Sequence, residues 1–191
     1  MGIVHALLAG IFPPRRASLS QVEPGQIVTI RGQVVPRDHI ESTLTGERCV
    51  YYQYTVEEWR QSHTTQMGND GFWHVVDRDE AITEFYLACR DERAIVSPSS
   101  ARVERARAVP VTSIDLGGIL NRRAQELRIA AGDMVEVTAM VESVDDLFDD
   151  GRGYRAATDR LMLSAPKHRP LQIRVLSQRQ KSRDRKTRMT S

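Results

Sequence analysis

The chain has 191 residues, a formal net charge of +2, 40% hydrophobic and 27% charged residues, which is ordinary globular composition with enough length to bury one good core. No apolar run approaches the roughly 20 residues that a membrane-spanning helix requires. Two cysteines and five histidines, none at C-x-x-C or H-x-x-x-H spacing, exclude a zinc finger and leave neither a metal nor a cofactor implied.

In chain order the first element is a short apolar helix over Ile3 to Phe12, ended by Pro13-Pro14, which cannot continue it. Ile3, Val4, Leu7, Leu8 and Ile11 gather on one stripe. A helix this short is marginal alone, so the stripe is expected to dock on the protein's own body, on a partner protein or on a membrane surface. A partner is favoured over lipid because no basic residue precedes Pro14. The N-terminus also lacks the basic region and cleavage site of a secretory signal, and Ala6 stands where a myristoylation motif needs Ser or Thr. The expected location is cytoplasmic, or peripheral to a membrane.

Arg15 to Ser20 reads as a linker. Ile27 to Val35 is rich in β-branched residues and reads as a strand, and Thr45-Gly46-Glu47 supplies turn residues before the next one. From Cys49 to Arg60 the side chains alternate, with Val50, Tyr52, Tyr54 and Val56 pointing one way and Cys49, Tyr51, Gln53, Thr55 and Glu57 the other. Gly68-Asn69-Asp70-Gly71 signals a turn into a strand at Phe72 to Val76, and further strands are predicted at Glu84 to Cys89 and Ala94 to Val96. Arg122 to Ile129 (RRAQELRI) has helix-forming composition and stops before Gly132. Strands at Met134 to Glu142, within Tyr154 to Leu163, and at Leu171 to Leu176 complete the series, with an acidic loop from Asp145 to Gly153. Many short strands at regular spacing predict a mainly β fold: an antiparallel, closed or nearly closed barrel, OB-like, with one or two short helices. The domain organisation expected is an N-terminal helix and linker (1–20), a barrel domain (21–176) and a basic tail (177–191).

Three motifs carry a family resemblance. They are R-G-x-V-x-P (Arg31, Gly32, Val34, Pro36) followed by Ser42 and G-x-x-C-V-Y-Y-x-Y-x-V-E-E (Gly46 to Glu58); V-S-P-x-x-A-x-V (Val96 to Val103); and E-L-x-I-x-x-G-D-x-V-x-V (Glu126 to Val137). Together with Trp73 they resemble the GIDE-type, or "beside a membrane" (BAM), domain over roughly residues 25–142. In eukaryotes that domain lies between the transmembrane helices of mitochondrial RING ubiquitin ligases, and it also occurs in bacterial proteins, which is the context expected here. The chain departs from the family pattern at Ala139, where Gly is common, and at Glu84-Phe85-Tyr86 and Asp91-Glu92-Arg93. With only two cysteines it lacks the eight ligands of a RING, so the ligase activity of the eukaryotic relatives does not transfer.

Charge is concentrated at the C-terminus. Residues 167–191 hold nine Lys or Arg against Asp184, a balance of +8 that leaves −6 for the rest. Beyond Leu176 the only sizeable apolar residue is Met189, so the tail is expected to be disordered by itself. Arg179, Lys181, Arg183, Arg185, Lys186 and Arg188 are its candidate contacts to a polyanion, whether nucleic acid, anionic lipid or an acidic partner, against the plain alternative of a solubilising terminus.

Catalytic constellations are weak. Glu57 and Glu58 are adjacent on a strand and point to opposite faces. The Asp145 to Gly153 run lacks the calcium-loop pattern, and no Ser or Cys sits in a nucleophile elbow. Cys49 and Cys89 read as small buried residues, with a disulfide between them the alternative. Trp59 and Trp73 flank a polar loop as packing residues or as surface aromatics. The expectation is a non-catalytic binding or scaffold module for a protein partner or larger assembly, with a nucleic-acid-binding barrel as the competing reading. A stripe of Arg60, Arg90, Arg93, Arg102 and Arg105 would favour nucleic acid, and scattered arginines the scaffold.

Overall fold

The computed structural model describes residues 15–61, 71–104, 108–111, 121–146 and 158–177. Five strands close a ring. β2 (Ile27–Pro36) pairs antiparallel with β7 (Phe85–Cys89), β7 with β8 (Glu92–Val96), β8 runs parallel to β13 (Thr158–Ser164), β13 pairs antiparallel with β12 (Met134–Asp146), and β12 returns to β2. Counted along the chain, the ring order is first, second, third, fifth, fourth and back to first, the connectivity of an OB barrel. Its interior comes from strict alternation: Val135, Val137, Ala139 and Val141 on β12 are fully buried, as are Val28, Ile30 and Val34 on β2, with Phe85, Leu87, Val96 and Leu163 between them. Ala139, where the resembling family has Gly, is a core residue.

β12 is long enough to serve three neighbours. One edge takes β2, and the other is shared by β14 (Leu171–Ser177) along Met134 to Thr138 and by β13 from Met140 onward. β9 (Ala101–Glu104) runs parallel to β14, and β1 (Arg15–Arg16) parallel to β2. The sheet is therefore mixed, which corrects the expected antiparallel barrel. Alternation specifies a strand but not the direction of the strand beside it, and two of the three parallel pairs, β8 with β13 and β9 with β14, join segments far apart in sequence.

A second, antiparallel sheet of four strands is built from the connections of the barrel. β5 (Tyr51–Gln61) and β6 (Gly71–Ile82) belong to the link from β2 to β7, together with the small hairpin of β3 (Ile40–Glu41) and β4 (Arg48–Cys49). β10 (Ala108–Val111) and β11 (Arg122–Ile129) belong to the link from β8 to β12. The two links join where β11 pairs with β5 over its whole length, giving the order β10, β11, β5, β6.

β11 overturns the helix expected at Arg122 to Ile129. Its composition favours helix, but β5 and β10 flank it and its alternation buries Ala124 and Glu126 on one side and Ile129 on the other. Propensity is a weak prior that strand pairing overrides. The chain then turns tightly at Gly132, φ 87°, into β12. A single 3-10 turn, Leu19–Gln21, is the only helical segment among the described residues, and it falls at the end of the expected linker. The helix expected at Ile3 to Phe12 lies outside the described residues, as do most of the acidic loop and Arg179 to Arg188.

Candidate interaction surface

One face of the second sheet is closed by the β3–β4 hairpin. Tyr52, Tyr54 and Val56 share it as the alternation predicts, all buried, with Ala124 and the partly buried Ile40, Leu44 and Ala81 packed around them. Cys49, expected on the opposite face, joins them while Val50 packs in the barrel core, because the strand is interrupted between Cys49 and Tyr51. The two tyrosine rings stack with centroids 6.4 Å apart. Their hydroxyls donate to carboxylates on β6, Tyr52 to Asp79 Oδ2 at 2.9 Å and Tyr54 to Asp77 Oδ2 at 3.0 Å. Burial and the Asp77 contact raise the Tyr54 pKa, so it stays a neutral donor.

Beside the tyrosines lies Glu126, fully buried on β11. Its carboxylate accepts from Ser42 Oγ, from Thr45 Oγ1 at 2.9 Å and from Arg128 Nε at 3.0 Å. Every partner comes from the hairpin or from the next residue on the same face. The network thus fastens the hairpin over the sheet, with the Glu126 carboxylate at its inner end and the exposed Thr45 at its outer end. Ser42, a residue of the family-like motif, acquires a physical role here as the inner donor to Glu126.

The far end of the same sheet is open. β11 meets β5 only up to Glu58, so Trp59 to Gln61 and Gly71 to Trp73 project as a two-stranded ribbon. Trp59 and Trp73 lie opposite each other and contact edge to face at 5.3 Å. Gly71 makes room for the Trp59 indole, because a Cβ there would collide with the ring. The Arg123 guanidinium lies 4.2 Å from the Trp73 ring centroid and donates to Glu57 Oε2 at 2.6 Å, ordering a carboxylate–guanidinium–indole stack. Phe72 and Val75 are about half exposed, 52% and 48%, and Trp59 and Val76 somewhat less. Val76 has no partner on β5, because the register shifts there by one residue.

Sequence reasoning singled out Trp59 and Trp73 but missed Phe72, Val75 and Arg123. Their signal is cross-strand register, which one strand's alternation does not contain. Cys49 and Cys89 are both free. Cys49 is fully buried with Sγ directed at the Ile40 carbonyl, and burial lifts its pKa from 9.0 to about 11; Cys89 is only partly buried and donates to the Arg31 carbonyl. The arginines do not form one stripe. Arg60 is on β5, Arg90 is at the β7–β8 turn, Arg93 is on β8, Arg102 is on the edge strand β9, and Arg105 lies outside the described residues. No cluster of three metal-ligating side chains occurs among the described residues, and no helix among them is long and apolar enough to cross a membrane. No protein-family model matches the chain, and neither a curated protein nor a solved structure does.

Proposed function

We propose that the chain is a non-catalytic binding module that engages a protein partner through the aromatic end of the β5–β6 ribbon. The observation that carries this reading is the exposure of Val75 beside the ordered Trp59–Trp73–Arg123 stack on one face of the ribbon, with Phe72 exposed on its other face. Tryptophan and arginine in a rigid apolar setting are the residue types that dominate protein–protein affinity. The resemblance to GIDE-type domains supports a positional role, in which the Ile3 to Ile11 stripe and the basic residues from Arg179 to Arg188 add contacts to an assembly or a membrane surface. A second reading, nucleic-acid binding, draws on the OB connectivity of the barrel. The scattered arginines and the acidic balance outside residues 167–191 weigh against it.

The test is affinity capture with the intact chain beside a Phe72→Asp, Val75→Asp variant, read by quantitative mass spectrometry with circular dichroism as the folding control. Both side chains are half exposed, so the variant is expected to fold. The expected result is loss of a discrete protein set. Unchanged capture, together with nucleic-acid binding that survives removal of residues 178–191, would replace this reading with the second.

A further inference from the structure

An open cleft of about 1100 Å³ lies on the outside of the barrel between β1, β2, the β7–β8 turn, β12 and β14. Its floor is a row of charged side chains set by register: Arg31 on β2 opposite Glu136 on β12, and Glu136 opposite Arg174 on β14. Arg16 reaches in from β1 with Nη2 3.3 Å from Glu136 Oε2, while Arg174 Nη1 lies 3.9 Å from Glu136 Oε1. Two guanidinium groups therefore share one carboxylate, and Arg31 makes no ion pair among the described residues. Donors exceed acceptors, since each guanidinium carries five N–H groups. The excess is visible at Arg174, whose Nε is shut off from solvent without an acceptor, a costly state for a buried donor.

We propose that this cleft binds a single phosphate-bearing group, with Arg16, Arg31 and Arg174 as its donors. Three arginines against Glu136 leave a local charge of +2, which a phosphomonoester dianion neutralises. Guanidinium forks match the spacing of phosphate oxygens and bind them bidentately. A continuous polyanion fits less well. The β7–β8 turn that forms the other wall contributes Asp91 and Glu92 against Arg90, a net −1 that repels a second phosphate farther along the cleft. The cleft is large enough for a small phosphorylated molecule and open enough for a lipid headgroup, and both sources present the same group to the arginines. It lies on a different sheet from the Trp59–Trp73 patch, so Phe72→Asp would leave phosphate binding intact.

The experiment titrates the full chain with inorganic phosphate, following melting temperature and ³¹P line width, against potassium chloride at matched ionic strength. Arg31→Ala and Arg174→Gln are compared with a Lys181→Gln, Arg183→Gln variant as a control for the basic tail. Arg31 is exposed, so its removal tests the site without disturbing the core. The expected result is saturable stabilisation by phosphate, weakened about tenfold or more by either arginine substitution, as loss of a charge-assisted hydrogen bond predicts, and unchanged by the tail variant. Sedimentation with phosphatidic acid vesicles but not phosphatidylcholine vesicles, abolished by Arg31→Ala, would assign the group to a lipid; phosphate binding without sedimentation would assign it to a soluble molecule. An equal response to chloride, or full phosphate binding by both arginine variants, would overturn the proposal.

Discussion

Glu126 shows how a single side chain can hold an insertion in place. Three groups donate to a carboxylate with no exposed surface, and two of them, Ser42 and Thr45, lie on the β3–β4 hairpin more than eighty residues away in sequence. Glu126→Ala strands the buried Ser42 hydroxyl and removes the acceptor of Arg128 Nε, and is expected to cost about 3 kcal/mol in urea denaturation. Tyr52→Ala, which empties the position between the hairpin and β6, should cost about 2–4 kcal/mol by the same measurement. The thiol of Cys49 adds a pH dependence. Unfolded, it releases its proton near 9.0, whereas burial delays release to about 11 in the folded state. Over that window the folded state holds more protons, so stability falls as pH rises, by up to about 3 kcal/mol for a shift of this size. Tyr51 and Tyr54, also raised by burial, steepen the fall at higher pH. Denaturation at pH 8 and pH 10.5 should show that Cys49→Ala flattens the early part of this decline. Of these residues, the tyrosines were legible because alternation places them, whereas the burial of Glu126 depends on a contact across 84 residues that no local pattern encodes.

Between elements, the joint that matters most is β5 with β11. Glu57 faces Arg123 and Glu58 faces Arg122, with ion-pair distances of 2.6 Å and 3.0 Å, so the adjacent glutamates do point to opposite faces and each meets its own arginine. Both pairs are partly exposed, and cross-strand ion pairs of that kind contribute only a fraction of a kcal/mol. Their larger effect is on register. A shift of one residue would turn Ala124 and Glu126 away from the hairpin face and break both pairs together. A double-mutant cycle of Glu57→Gln and Arg123→Gln is expected to give a coupling of about 0.5 kcal/mol that shrinks at high salt, measured by urea denaturation at two ionic strengths. The strand character of β11 was hidden because Arg, Ala, Gln, Glu and Leu all favour helix, and only its two neighbours decide otherwise.

For the whole molecule, the barrel and the second sheet divide the chain into a closed core and an exposed ribbon, and the two were unequally readable. β2, β12 and β14 stood out as β-branched or alternating runs and β7 as a short apolar one, so a β-barrel followed from the strand count. The joining of two distant connections into one sheet depends on pairing partners, which spacing does not name. Charge, by contrast, is legible without structure. Six basic residues lie between Arg179 and Arg188 against Asp184, while residues 1–166 carry −6 and would repel a phosphate backbone. If those six charges provide affinity for polyanions, binding proceeds by counterion release and carries no sequence preference. The slope of log K against log salt on duplex DNA should then be on the order of −5. The single-phosphate cleft contributes little to this slope, because it is built for one dianion and walled by Asp91 and Glu92. Salt titrations of DNA binding by the intact chain and by one ending at Ser177 separate the two. Loss of binding in the shorter chain assigns the affinity to the terminal charges, and a slope that survives truncation places a polyanion site on the barrel itself.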